Sequence, residues 1–387
     1  MLFANLTAVL QRLTRRRDEP AHDLLSPLQV RRLLDVERVR SDRTGESLSL
    51  VVFTPRTDDA IDATTALLAQ SLRTRLRITD HAGLLDDGIV CAVLPFTAAA
   101  GAWKVADDLC LLFPENVPPP ICTVYSYPSG NLPIPNVGAL GEGSGRFKTT
   151  PSGRTPRPSL TDTPVPTAAG KSLAARPATA PLGPMFLRPA SAWKRLADIV
   201  GATFGLLVLL PMLPFIALAI KFSSRGPIFF KQQRAGWGGQ PFSMWKFRTM
   251  VADAEARKAD LMAKNEQDGP AFKIKHDPRV TRVGRFLRST SIDELPQLWN
   301  VLIGDMSLVG PRPLPCREAE GCEPWQRRRL DVMPGLTCIW QVRGRSAVSF
   351  ADWVRMDVEY IESQSLGADL KLILQTVPAM VMRRGAH

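Results

Sequence analysis

The chain has 387 residues, more than one hydrophobic core usually organises, so we expect two folded units joined by a connector. Lysine and arginine outnumber aspartate and glutamate by 49 to 37, and the net charge of +12 favours an anionic partner such as phospholipid headgroups, a phosphorylated substrate or nucleic acid. The six cysteines form no CxxC pair and no Cys/His metal spacing, which argues against a disulfide framework and a zinc site and fits a reducing cytosolic face.

The N-terminal segment, residues 1–24, contains the basic amphipathic stretch MLFANLTAVLQRLTRRRDEP. It lacks the uninterrupted apolar region and the small-residue cleavage site of a secretory signal. We therefore predict an amphipathic helix on the cytosolic side.

Helical and strand-like patterns alternate over residues 25–127. The strand-like pieces include SLSLVVF, IVCAVLP and ICTVYSY, and the helical pieces between them include DAIDATTALLAQSLRTRL. This alternation predicts a small α+β domain.

The order of these pieces, the Glu37/Arg40 pair and the stretch LRTRLRITD resemble a GGDEF-type nucleotidyl cyclase domain. Residues 86–90 (DDGIV) stand where that family carries its GGDEF turn, and residues 53–55 (FTP) stand where it carries a metal-binding aspartate. Cyclase chemistry needs such carboxylates to hold two divalent ions. The resemblance therefore implies a degenerate, inactive domain that serves in regulation or in forming a homodimer; an unrelated α/β module is the alternative.

A connector follows over residues 128–185. It is rich in Pro, Gly, Ser and Thr, as in PSGRTPRPSLTDTPVPTAAGK, and has almost no aromatic residues. Because such a segment buries too little apolar surface to fold, we predict a flexible linker.

The run from Ile199 to Phe222 carries no charge before Lys221, which is long enough for the roughly 20 residues of a membrane span. Basic residues flank it on both sides: Lys194, Arg195, Lys221 and Arg225. Since the positive-inside rule places basic flanks in the cytoplasm, both ends are expected on the same side of the membrane.

Two prolines, Pro211 and Pro214, lie near the middle of this run. Each lacks a backbone donor and obstructs the preceding turn, so a sharp bend is favoured. We predict a re-entrant helical hairpin over about residues 196–222. An ordinary kinked transmembrane helix and a buried core helix of a soluble protein are the alternatives.

The densest motifs follow the apolar run in the order GPIFFKQQRAG, KFRTM, LRSTSIDELPQLWNVLIGDMSLVGPRP and PGLTCIWQVRGR, and then a stretch with Asp357 and Tyr360. This order resembles the bacterial sugar transferase family, monotopic phosphoglycosyl transferases that begin surface glycan assembly on undecaprenyl phosphate. The resemblance covers about Trp193 to Arg383, and we assign residues 186–387 to that domain.

The resemblance implies a mostly helical cytosolic domain on the cytoplasmic face of the bacterial inner membrane. Its partners would be a UDP-sugar donor and a polyprenyl phosphate acceptor, and its product would be a polyprenyl-diphosphate-sugar with release of UMP. It further implies a two-step reaction in which a covalent phosphosugar forms on the enzyme.

The Asp293-Glu294 pair lies among many cations, as phosphoryl transfer requires, and a carboxylate can itself attack phosphorus to form an acyl phosphate. By resemblance Asp293 is the nucleophile, and Glu294 helps to bind Mg²⁺, which prefers oxygen ligands. A helix N-terminal charge pair after Ser289, Thr290 and Ser291 is the alternative reading.

Arginines can grip phosphate oxygens with two N–H groups at once. We predict Arg288 and Arg312 as phosphate ligands, with the backbone around Arg312 stiffened by its neighbour Pro313. Three further cations are candidates for the same role: Lys246, Arg248 and Arg345. Lys246 and Arg248 are equally suited to lipid headgroups, and Arg343 beside Arg345 is a further candidate for the diphosphate.

Asp305 in GDMS is predicted either as a second metal ligand or as a turn-forming aspartate. His276 receives no role, because a lone histidine in a polar loop is usually a solvated side chain. Two rival functions remain: a non-catalytic, nucleotide-sensing membrane adaptor and a nucleic-acid-binding protein. The intact set of acidic, arginine and GPRP motifs argues against the first, and no recognition motif supports the second, so no nucleic-acid partner is expected.

Overall fold

The computed structural model of the protein describes residues 24–56, 61–114, 117–128, 179–254, 256–266, 268–272, 274, 277–343 and 348–381. Among these residues the chain forms two units, the first ending at Phe186 and the second beginning at Leu187. The predicted N-terminal amphipathic helix lies outside the described residues.

The first unit is a mixed sheet covered by helices. Its helices are α1 (Pro27–Thr44), α2 (Ile61–Arg75) and α3 (Ala99–Cys110), and its strands are β1 (Leu48–Thr54), β2 (His81–Leu84), β3 (Val90–Leu94), β4 (Ile121–Tyr127) and β5 (Ala180–Pro181). The strand order is β2-β3-β1-β4-β5, antiparallel except for the β4–β5 pair. The predicted small α+β domain is confirmed.

Local signals explain where these elements start and stop. Ser26 and Gln29 form a capping box at the start of α1, with Pro27 at its first position, and Gly45 ends the helix in the left-handed conformation. The strands β1 and β3 lie at the centre of the sheet and are buried along nearly their whole length, and alternate residues of both strands pack on one face against α2 and α3.

The last residues of the predicted linker belong to the first unit. Strand β5 pairs with β4 through Tyr125 and Ser126, Leu182 donates its N–H to the carbonyl of Ser126 at 3.0 Å, and a 3₁₀ turn follows at Gly183–Phe186. Leu182 is fully buried. Residues 179–186 are therefore structured, which corrects the predicted linker boundary at 185; residues 129–178 lie outside the described residues.

Replacing Leu182 with alanine is expected to destabilise the first unit by about 2–4 kcal/mol, because the substitution leaves a cavity beside β4. Leu28→Ala is the matched control: Leu28 is 60% exposed on α1, and the loss there is expected to be below about 0.5 kcal/mol. Denaturant unfolding of the two variants measures the difference. Equal stabilities would show that residues 179–186 behave as a free linker.

The second unit is mostly helical. Its helices are α4 (Ala192–Leu209), α5 (Leu213–Ser223), α6 (Arg282–Ser289), α7 (Gln297–Ile303), α8 (Cys316–Glu320), α9 (Ile339–Arg343), α10 (Phe350–Ser363) and α11 (Leu366–Val381). Its strands form an antiparallel hairpin, β6 (Phe229–Ala235) with β7 (Pro241–Phe247), and a short parallel pair, β8 (Ser307–Val309) with β9 (Gly335–Thr337). Trp340 and Trp353 stack at 4.2 Å between ring centroids inside this core.

The apolar run forms α4, a 3₁₀ turn at Leu210–Met212 and α5, together a helix (Ala192–Ser223) that is long and apolar enough to cross a membrane. At Pro211, where a break was predicted, the α-helix changes to a 3₁₀ turn, and Pro214 lies in the first turn of α5. Leu210 and Leu213 nevertheless keep helical backbone angles. A reversal of the chain at the prolines stays a prediction.

One side of this helix packs on the second unit along its whole length. A side-chain Cβ at Gly201 would lie 2.6 Å from Leu308, and one at Gly205 would lie 2.7 Å from Leu298, so the helix backbone approaches these leucine side chains closely at both glycines. Further along, Ile216 and Ile220 pack against Phe247. The other side is apolar and exposed, with Phe204 69%, Phe215 75% and Phe222 83% exposed; such an apolar face is typical of membrane contact.

Candidate active site around Asp293 and Glu294

A strained turn presents the predicted acidic pair. Helix α6 ends at Ser289, and Ser291 then takes a left-handed conformation with φ 56° and ψ 15°, which costs a non-glycine residue roughly 1–2 kcal/mol. A 3₁₀ turn, Ile292–Glu294, and then α7 follow. Strain of this kind concentrates at functional sites.

The hydroxyls before the pair do not cap a following helix. Ser289 and Thr290 donate back to the carbonyl of Phe286 at 2.9 Å, at the end of α6, and Ser291 makes no capping bond. The hydroxyl capping that the alternative reading expects is therefore absent at Ser289, Thr290 and Ser291, although Asp293 and Glu294 do lie in the 3₁₀ turn that precedes α7.

Glu294 is held by two cations from distant parts of the chain. Lys246 on β7 donates from Nζ to Oε1 at 2.9 Å, and Arg312 donates from Nη1 to Oε2 at 3.1 Å and from Nη2 to Oε1. Burial alone would raise the pKa of Glu294, but the charges and hydrogen bonds of Arg312 and Lys246 outweigh it and hold the pKa well below its usual range. Glu294 is therefore ionised.

Asp293 is buried, with 7% of its surface exposed, and among the described residues no side chain donates a hydrogen bond to its carboxylate. Burial first and the adjacent Glu294 charge second raise the pKa of Asp293 to about 6, although Lys246, Arg288 and Arg312 oppose the shift. An unbonded carboxylate with a pKa near neutrality, surrounded by cations, is well suited to attack an electrophile.

Arg288 lies on α6 one turn before the pair. Its Nε donates to Thr249 Oγ1 at 3.0 Å. Thr249 lies just after the end of β7, so this bond holds the Arg288 side chain in place. Burial lowers the pKa of Arg288, and the charge of Asp293 partly restores it. The structure thus brings four predicted residues together: Asp293, Glu294, Arg288 and Arg312, with Lys246 as a fifth.

The GPRP loop that carries Arg312 is fixed at successive carbonyls. The Pro311 carbonyl accepts from the Gly335 N–H at 2.9 Å, and the Leu314 carbonyl accepts from the Ala235 N–H at 2.8 Å. Between them, the carbonyls of Arg312 and Pro313 accept from two arginine side chains. Because every buried carbonyl here has a donor, the loop holds Arg312 in one position.

Those two arginines, Arg329 and Arg234, were missed by the sequence analysis. Arg329 Nη2 donates to the Arg312 carbonyl at 2.8 Å and pairs with buried Asp357 at 2.7 Å. Arg234 Nη1 donates to the Pro313 carbonyl at 2.9 Å, so Pro313 contributes its backbone oxygen. Burial, together with the nearby Arg312 charge, lowers the pKa of Arg234 to about 10. In the sequence, Arg234 is visible only as the basic residue of QQRAG, and Arg329 only as one of the three arginines of QRRRL.

Two predicted site residues lie elsewhere. Arg248 donates to the Ser224 carbonyl at 2.6 Å and to the Pro227 carbonyl, so it ties the end of α5 to β7 and does not face Glu294. Asp305 accepts from Asn300 Nδ2 at 3.1 Å after α7, which favours its role in the turn. Arg345, the side chain of Arg343 and His276 lie outside the described residues.

Both predicted metal ligands, Glu294 and Asp305, have other partners in the structure. In the described ranges no group of three or more His, Cys, Asp or Glu side chains is placed to hold a metal ion. Both oxygens of Glu294 already accept from cations, and Asp305 belongs to the Asn300 network. These donors do not fit a magnesium site shared by Glu294 and Asp305.

Residues 189–383 match the family model described as bacterial sugar transferase. Over 194 residues the chain is 45% identical to the galactosyl transferase CpsE of Streptococcus agalactiae, covering 50% of this chain and 43% of that one. It is 39% identical to the exopolysaccharide production protein ExoY of Rhizobium meliloti, covering 50% of this chain and 88% of ExoY. A UDP-glucose:undecaprenyl-phosphate glucose-1-phosphate transferase of Caulobacter vibrioides is 43% identical, covering 50% of this chain and 72% of that one.

Among solved structures, the diguanylate cyclase SiaD of Pseudomonas aeruginosa is similar at 17% identity and a TM-score of 0.24, covering 32% of this chain and 57% of that one. The GGDEF domain of PA1120 from the same organism has the same identity and TM-score, with 28% and 76% covered. At these scores the resemblance of the first unit to a GGDEF domain stays a prediction.

Proposed function

The chain belongs to the bacterial sugar transferase family, and we propose that its second unit transfers a sugar-1-phosphate from a UDP-sugar to a polyprenyl phosphate such as undecaprenyl phosphate. The products would be a polyprenyl-diphosphate-sugar and UMP, the first membrane step in building a surface polysaccharide. The observation that carries the proposal is the pairing of an unbonded, buried Asp293 with Glu294 held between Lys246 and Arg312.

In the first step, a carboxylate oxygen of Asp293 attacks the phosphorus atom that bears the sugar. A bond forms between this oxygen and phosphorus, the bond from phosphorus to the UMP oxygen breaks, and UMP leaves with the electron pair. In the second step, an oxygen of the lipid phosphate attacks the same phosphorus and releases Asp293 as a carboxylate. Both steps conserve charge and atoms without any further reactant.

The cations supply the electrostatic part of the reaction. Arg312 and Arg288 can neutralise phosphate oxygens as the transferring group passes between the two partners. Glu294 orients Arg312 and Lys246 toward this position through its three hydrogen bonds. The carbonyl contacts of Arg234 and Arg329 keep the loop in place, so the positive charge is preorganised.

Magnesium is the ion that the family resemblance implies for this reaction. An ion bound by one carboxylate, Glu294, together with the phosphates of the donor would follow the usual preference of Mg²⁺ and would supply further neutralisation of the diphosphate. Because Glu294 is already occupied by Lys246 and Arg312, we assign no step to the ion.

We also propose that the helix Ala192–Ser223 enters the membrane from the cytoplasmic side and returns to it. The supporting observation is that both ends are bound to the second unit: Arg195 donates to the Val301 carbonyl at 2.6 Å, and Arg248 holds Ser224. Cysteines at exposed Ser191 and Arg225 are both expected to be labelled from the cytoplasm. Labelling of one of them from the periplasm would show a spanning helix.

For the first unit we propose a non-catalytic role. Fully buried Phe53 fills the position where the GGDEF resemblance expects a metal-binding aspartate. In the turn, Asp86 pairs with Arg31 and Gly88 takes a left-handed conformation. Production of a cyclic dinucleotide by the first unit would overturn this proposal.

The experiment that tests the transferase proposal is incubation of the full chain with radiolabelled UDP-sugars in the absence of lipid acceptor. We expect release of UMP in one equivalent and label retained on the protein at Asp293, discharged when undecaprenyl phosphate is added. Release of UMP only when both substrates are present, with no label on the protein, would replace the two-step reaction by direct transfer. No UMP with any donor would favour a non-catalytic membrane adaptor.

The rate of adduct formation is expected to rise with pH and to be half-maximal near pH 6. Asp293 attacks only as a carboxylate, so below its pKa of about 6 the rate should fall about tenfold per pH unit, while Glu294 stays ionised over the whole range. Single-turnover rates of UMP release between pH 5 and 8 measure this. Lys246→Gln removes a cation that lowers the pKa of Asp293, so its midpoint should move to higher pH; a flat profile would contradict the assignment.

A further inference from the structure

The four cations that flank the apolar helix have different surroundings in the structure. Lys194 is buried and donates to Asp369 at 2.6 Å and to the Val309 carbonyl at 2.9 Å. Arg195 donates to the carbonyls that end α7. These two cations, in the first turn of α4, are therefore bound within the second unit and are not available to a membrane surface.

The two cations at the far end of the helix have no such partners among the residues that the structure describes. Lys221 and Arg225 are exposed at the end of α5, and within the described part of the chain neither forms an ion pair or a side-chain hydrogen bond. Helix α6 packs against α5 through Leu287, beside Ile220. It adds Arg282 and Arg285, which are likewise exposed and without a partner among the described residues.

These four residues, Lys221, Arg225, Arg282 and Arg285, form what we call the basic patch. Neither α5 with its following turn to Arg225 nor α6 contains an acidic residue. Two aromatic side chains accompany the patch, Phe222 at 83% and Phe286 at 54% exposure. Phe222 also continues the exposed apolar side of α4 and α5, so charge and apolar surface meet at this edge.

We propose that the basic patch binds the headgroups of anionic phospholipids in the bilayer that receives the apolar helix. Amphipathic surfaces with cations beside exposed aromatic residues sit at the headgroup level, where each cation attracts anionic lipid. The patch is distinct from the active site: Arg288, on the same helix α6, turns to Thr249 and toward Asp293. The inference rests on the membrane placement proposed above, not on the transfer reaction.

Lipid is favoured over a soluble anion because the basic patch is continuous with the exposed apolar side of α4 and α5. A nucleotide diphosphate would be recognised by convergent donors in a concave site, such as the arginines around Glu294. The basic patch instead has separate, exposed cations along two packed helices. Such an arrangement suits many mobile anionic headgroups and gives selection by charge and not by shape.

The test is the lipid selectivity of the full chain reconstituted into phosphatidylcholine vesicles, measured by the fraction of spin-labelled lipid that the protein immobilises. Spin-labelled phosphatidylglycerol is expected to be preferred over spin-labelled phosphatidylcholine by about fivefold or more, the effect of about one cation at a bilayer surface. The preference should fall severalfold in Arg282→Gln/Arg285→Gln, which keeps Lys221 and Arg225, and it should weaken in high salt.

The matched control is Arg317→Gln/Arg355→Gln, which removes the same charge from exposed positions on α8 and α10. It should keep the preference of the wild type. An unchanged preference in Arg282→Gln/Arg285→Gln overturns the proposal. If the same variant also shows a raised KM for polyprenyl phosphate, the patch binds the acceptor and not the bilayer lipids. A protein that selects phosphatidylglycerol but releases no UMP from any UDP-sugar, with or without polyprenyl phosphate, would refute the transferase proposal and leave the patch standing.

Discussion

Replacing Asp293 with asparagine should lower turnover by several orders of magnitude and abolish the labelled adduct. The substitution keeps the size and shape of the side chain but removes the charge that attacks phosphorus, and loss of a covalent nucleophile has effects of this size. Asp293 accepts no hydrogen bond from the described side chains, so little structural change is expected. Adduct yield and single-turnover UMP release measure the loss, and the melting temperature checks the fold.

The matched control is Asp305→Asn. Asp305 is a half-buried aspartate of the same motif, and burial raises its pKa too, yet its partner is Asn300 and not the acidic pair. An asparagine oxygen can still accept from Asn300, so transfer should change by less than about tenfold. Equal losses in the two variants would point to folding, and a labelled adduct in Asp293→Asn would place the nucleophile elsewhere.

Replacing Glu294 with glutamine should lower the rate of adduct formation by about 100-fold or more. The change removes the charge between Lys246 and Arg312 and leaves two largely buried cations without their partner, which typically costs about 3 kcal/mol or more for a buried pair. Arg312 would then lose the position in which it meets the phosphate. Unlike Asp293→Asn, this variant keeps its nucleophile and should still form the adduct slowly.

Glu294→Asp serves as the control that keeps the charge while shortening the side chain, and it should lie between glutamine and the wild type. Excess magnesium should not restore Glu294→Gln, because both carboxylate oxygens of Glu294 already accept hydrogen bonds from Lys246 and Arg312. Recovery of activity in high magnesium would show that Glu294 is a metal ligand, and the orientation of Arg312 would then need another explanation.

Patterns that repeat within a few residues were readable from the sequence. Alternation of apolar residues predicted the α+β character of the first unit, and the order of motifs from GPIFFKQQRAG to QVRGR predicted the family. The Asp293-Glu294 pair was visible because a dipeptide inside an ordered motif needs no folding to be recognised. The Pro-rich composition of residues 128–185 predicted a flexible linker up to residue 185, but Leu182 and Phe186 are buried, so residues 179–186 pack in the first unit.

The partners of Glu294 were decided only by the tertiary structure. Lys246 and Arg312 lie 48 and 18 residues away in the chain, and no local pattern states that their side chains converge. Lys246 and Arg248 illustrate the reason: two residues apart, they would share one face of a strand. Strand β7 ends at Phe247, so Arg248 leaves the strand and turns to Ser224, while Lys246 reaches Glu294. Where a strand ends depends on its neighbours in space, and that information becomes available only when the chain has folded.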